Sequence, residues 1–60
     1  MDKQTVIIVL GKHYALMLEL SGKYTIYNIK AKIESPNLLP LYQYKNKKSA
    51  LKTFNRIENL

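Results

Sequence analysis

The chain has no cysteine and no tryptophan, a single histidine, two glycines, two prolines and four acidic residues among sixty. Without cysteine there is neither a disulfide framework nor a thiolate metal site. His13 alone cannot supply the paired imidazoles of a zinc centre, so no metal and no cofactor are expected. Gly11 and Gly22 stand apart, which excludes a glycine-rich phosphate loop and the nucleotide hydrolysis that goes with it. The carboxylates Asp2, Glu19, Glu34 and Glu58 are scattered, with no pair placed for acid–base work. The longest aliphatic run, Val6–Leu10, is far below the roughly 20 residues that span a bilayer, and too short for a signal-peptide core. The expectation is a soluble, cytoplasmic chain without a membrane segment. Sparse acid beside ten lysines and arginines leaves a net charge of +6.

What is present suits one small globular domain. The apolar fraction of 47% is that of a folded protein. A chain of this size buries only about 60% of the surface its unfolded form exposes. With disulfides and metals excluded, self-association or docking on a partner is the remaining support, and a homodimer is expected. Heavy use of Lys, Asn, Ile and Tyr matches AT-rich codons, as in a low-GC bacterium, its phage or an archaeal virus.

Turn signals divide the chain. Thr5–Leu10 is β-branched and apolar and is followed by Gly11-Lys12; Tyr14–Leu20 closes at Ser21-Gly22-Lys23; Tyr24–Glu34 alternates until Ser35-Pro36-Asn37. Short apolar runs between glycine-containing turns predict an antiparallel meander. The Pro36–Pro40 stretch reads as a loop, and Leu41–Lys45 as a short fourth strand. Asn46 is a helix N-cap, and Lys47–Asn59 carries Ala50, Leu51, Phe54 and Ile57 on one face of a 3.6-residue period. The fold class is α+β: three or four antiparallel strands and a C-terminal amphipathic helix lying on one sheet face.

Strand alternation assigns the faces. Tyr14, Leu16, Leu18 and Leu20 are expected beneath the helix, together with Thr25, Tyr27, Ile29, Ala31 and Ile33. The other face then carries His13, Ala15, Met17 and Glu19 beside Tyr24, Ile26, Asn28, Lys30 and Lys32. The first strand is apolar on both sides, so Ile7, Val9, Met17 and Ile26 form an expected protein interface on the face without a helix. A bare first strand would also invite pairing with another chain.

Two surfaces are candidates for nucleic acid. From Ser35 to Ile57 the only charged residues are Lys45, Lys47, Lys48, Lys52 and Arg56. Lys48, Lys52 and Arg56 recur every four residues and form one stripe, with Asn55 and Asn59 beside it to bond phosphates or base edges. Like charges at that spacing cost about 0.2–0.5 kcal/mol per pair, which an anionic ligand relieves. A solvated lysine-rich face has the same appearance. The second candidate combines Tyr24, Lys30 and Lys32 on the outer sheet face, where an aromatic can stack on bases while lysines follow the backbone. Lys12, Lys23, Tyr42 and Tyr44 would extend it.

His13 could act as a general base in RNA cleavage, but Glu19 on its face lies six residues away, some 20 Å along an extended strand. The leading reading is a non-enzymatic module that binds DNA or RNA. The alternative is a phage or mobile-element effector that docks on an acidic host protein through the apolar sheet face or the edge strand.

Overall fold

The computed structural model describes residues 5–59, which form a four-stranded antiparallel sheet in the order β1-β2-β3-β4 with two helices. The strands are β1 (Val6–Leu10), β2 (Tyr14–Leu18), β3 (Tyr24–Asn28) and β4 (Tyr42–Tyr44). Helix α1 (Ile29–Glu34) interrupts the meander and α2 (Lys47–Glu58) closes it. The expected α+β architecture is present, fourth strand included. Met1–Gln4 and Leu60 lie outside the described residues.

The β2–β3 turn is closed by Gly22 N–H to Glu19 O and Glu19 N–H to Lys23 O, both 2.9 Å. Gly22 sits at φ 91°, a left-handed conformation that costs a side-chain-bearing residue about 1–2 kcal/mol. This turn sets the parity of the sheet. Leu16 pairs with Ile26, Tyr14 with Asn28 and Leu18 with Tyr24, while Ala15 pairs with Tyr27 and Met17 with Thr25. Residues paired across an antiparallel ladder share a face. Leu16 and Ile26 therefore lie together under α2, both 0% exposed, with Ala50 and Phe54 against them. The expected face of β3 is thus reversed: Thr25 and Tyr27 point away from α2, and Tyr24 and Ile26 point toward it. Alternation cannot set which of its two faces is inward; loop length does, and one residue of slip inverts every side chain. Leu20, expected in the core, belongs to the turn and is 68% exposed.

Strand β1 carries a second correction. Ile7 pairs with Met17 and Val9 with Leu16, leaving Ile8 unpaired as a β-bulge. Ile8 and Val9 both pack against the core, and the outward positions become Ile7 and Leu10, which lies opposite Ala15. Val9 is therefore not on the face without α2, as strict alternation predicts.

The third departure is α1. Strand β3 stops at Asn28, whose side chain accepts a hydrogen bond from Ala31 N–H (3.0 Å) and caps the helix. Its ladder partner Tyr14 is the first residue of β2, and the next bond on that side, Ile29 N–H to His13 O (2.9 Å), already reaches the β1–β2 turn. The segment Ile-Lys-Ala-Lys-Ile-Glu satisfies period 2 and, through Ile29 and Ile33 four apart, one turn of helix as well. Helix α1 turns back over the side of the sheet opposite α2: Lys32 Nζ lies 4.3 Å from the centre of the Tyr27 ring and donates to Pro36 O at 2.8 Å.

Candidate nucleic-acid interface

Helix α2 is positioned from both ends. Asn46 Oδ1 accepts from Lys48 N–H (2.7 Å) and Ser49 N–H (3.3 Å), which fixes the start of the helix directly after β4. Ala50, Thr53 and Phe54 are buried against the sheet, with Leu51 and Ile57 half-buried beside them. The Thr53 hydroxyl is paired with the Tyr44 hydroxyl at 2.7 Å, so the one buried polar side chain of this face is satisfied. With that stripe fixed inward, the helical period turns Lys48, Lys52 and Arg56 directly outward. These three, together with Lys47, Asn55 and Lys45 at the end of β4, are exposed. At 1.5 Å per residue the Lys48–Arg56 row is about 12 Å long.

The far end of α2 is held by Glu58, the single acidic residue of the segment. Its carboxylate accepts backbone N–H bonds from Lys12 (2.9 Å), His13 (3.0 Å) and Tyr14 (3.1 Å), all in the β1–β2 turn. Partial burial pushes this carboxyl up, but the three N–H donors and the neighbouring His13 outweigh burial and hold it below its ordinary value. Gly11 makes the approach possible: a Cβ there would lie 2.9 Å from Phe54 Cζ and overlap the Glu58 carboxylate. The segment's one negative charge is thus folded against the turn, away from the outward row. Apart from Gly11, nothing in the sequence marks this contact, which joins residues 44 to 46 positions apart.

The second expected surface is not assembled. Tyr24 is half-buried and packs against the core beneath α2. Lys32 is half-buried on α1 over Tyr27, on the opposite side of the sheet. Lys30 is exposed on α1, where it borders a cleft of about 430 Å³ with Lys12, His13 and Ile33. Of the expected interface residues, Ile7 and Met17 lie on the side away from α2, while Val9 and Ile26 lie under α2. Ile7 and Met17 join Leu10, Ala15, Ile29 and Ile33 around a shallow apolar groove of about 130 Å³. Ile7, Leu10 and Ile33 remain 52%, 66% and 74% exposed there.

The carboxylate brought beside His13 is Glu58, not Glu19, and it is engaged by the turn. Glu19 instead accepts from Thr25 Oγ1 (2.9 Å) and Tyr27 OH (3.2 Å). Burial, then the charge of Glu19, pushes the Tyr27 phenol above its ordinary value.

No family model, no curated protein and no solved structure matches this chain.

Proposed function

We propose that this protein is a small non-enzymatic module that binds nucleic acid through the outward face of α2, with Lys45, Lys47, Lys48, Lys52 and Arg56 as its phosphate contacts. The observation that carries the reading is the charge arrangement. Lys48, Lys52 and Arg56 form one exposed outward row, Lys45 and Lys47 are exposed about the start of the helix, and the only carboxylate of that segment is withdrawn into the β1–β2 turn. A row about 12 Å long matches some three or four phosphates of one strand at 3.4 Å each along a duplex axis. Such contacts release counterions, so affinity falls steeply with salt.

Fluorescence anisotropy against labelled single- and double-stranded DNA and RNA tests the reading. Salt-sensitive binding to at least one of them is expected; the absence of binding to all four at low salt overturns it.

The apolar groove around Ile7, Leu10, Met17 and Ile33 favours a second reading, docking on an acidic host protein or a second copy. The groove and the basic row lie on opposite sides of the sheet, so the two activities do not compete for space. Lysine substitution at Ile7 separates them, because it abolishes docking through the groove and leaves nucleic-acid binding intact.

A further inference from the structure

Strand β4 is the edge of the sheet, and it carries two tyrosines on the same side as α2. Tyr44 is fixed: its ring packs on the core and its hydroxyl is paired with Thr53. Tyr42 stacks on Tyr44 with ring centres 6.4 Å apart and planes 15° from parallel. Tyr42 stands outside the core cluster, is 38% exposed, and faces no further strand among the described residues. A large aromatic ring is thus held by a rigid neighbour at an open edge. Core packing accounts for Tyr44 but not for the placing of Tyr42.

One flank of α2 lies toward this edge of the sheet. Lys45 follows directly on β4. Thr53 seats one flank of α2 against Tyr44, and Arg56, three residues on, is its neighbour on the helix surface. An exposed aromatic beside a cationic row is the arrangement that holds an unpaired base, stacking on the ring while the phosphates follow the charges. A base within a duplex is already stacked on both sides and offers no free face.

We infer that Tyr42 is a stacking platform for an unpaired base, and that the ligand of the α2 face is single-stranded nucleic acid. This inference rests on the proposed nucleic-acid reading and adds to it the strand type and the residue that selects it.

The test compares a short labelled oligothymidylate with a duplex of the same length, using the wild type, Tyr42→Leu and Tyr42→Trp. Stacking worth about 1–3 kcal/mol per base corresponds to about a 5- to 150-fold loss of single-strand affinity in Tyr42→Leu. The salt slope stays unchanged, because no phosphate contact is removed, and duplex binding stays within about twofold. Tyr42→Trp keeps the platform and supplies the chain's only tryptophan, whose emission is quenched by the oligothymidylate and not by the duplex. Unquenched tryptophan, or equal losses for both strand types in Tyr42→Leu, overturns the platform while the basic face stands. Wild-type protein that binds neither probe overturns the nucleic-acid reading and the platform with it.

Discussion

Replacing Gly11 with alanine should destabilise the fold although the residue's backbone permits a side chain. Among the described residues only Gly22 has a positive φ, so an alanine at position 11 meets no left-handed strain. Taken alone, the reduced freedom of the unfolded chain would favour the variant by about 0.4–1 kcal/mol. The added methyl, however, would stand 2.8 Å from Glu58 Cδ and 2.9 Å from Phe54 Cζ, well inside ordinary contact. Neither neighbour yields freely. Phe54 is 3% exposed within the core, and Glu58 can move only by giving up three backbone hydrogen bonds. Overpacking of this kind costs about 1–3 kcal/mol, leaving a net loss of about 1–2 kcal/mol. For sixty residues the whole stability is about 3–9 kcal/mol, and a loss of that size lowers Tm by about 5–15 °C. Thermal and urea unfolding followed by far-UV circular dichroism measure it. Measured in a Glu58→Ala background, Gly11→Ala should cost less than in the wild type, since half of the contested space is vacated. A Gly11→Ala variant as stable as the wild type would refute the close packing of turn and helix.

Four further outcomes follow from the same geometry. Because the folded Glu58 carboxyl titrates below its unfolded value, its contribution is complete above about pH 4.5 and is lost as pH falls through the folded value; Glu58→Gln should therefore flatten the acid limb of a Tm-against-pH curve. Lysine at Val9, which packs on the core, should cost about 2 kcal/mol or more, whereas lysine at Ile7 two residues away should leave Tm nearly unchanged. Tyr44→Phe removes the bond to Thr53 and should cost about 0.5–1.5 kcal/mol in urea unfolding. If the groove joins two copies, sedimentation should report a dimer for the wild type and a monomer for Ile33→Lys, which is 74% exposed and leaves the core untouched.

The helix and its basic row were legible because every signal for them is local. Asn46 as cap, the apolar period through Ala50, Phe54 and Ile57, and the charges between them all sit within fifteen residues, and the structure keeps each in its expected place. The turns at Gly11 and Gly22 were legible for the same reason. The faces of the strands were not. Tyr24–Asn28 alternates equally well in either orientation, and the turn that decides between them acts through its hydrogen-bonded length, not its composition. In β1 every residue is apolar, so the bulge at Ile8 leaves no trace in the pattern. Ile29 and Ile33 suit both periods, so the pattern alone does not separate the capped helix from a longer strand. Those three features decide the fate of the candidate residues. They move Tyr24, Val9 and Ile26 under α2, carry Lys30 and Lys32 onto α1, and open the groove with Leu10 in the place expected for Val9. The Glu58 contact spans the length of the chain, and its only sequence trace is a glycine at position 11.

In the proposed function the outward row of α2 contacts phosphates. Its most direct test is the salt dependence of nucleic-acid affinity for the wild type and for the triple variant Lys48→Gln, Lys52→Gln, Arg56→Gln, with unfolding curves confirming that the variant keeps its fold. Losing three phosphate contacts should reduce the slope of log K against log salt by about 2 on single strands or about 3 on duplex, with a matching fall in affinity at low salt. A triple variant that stays folded and binds with the wild-type slope would show that this row does not contact phosphates.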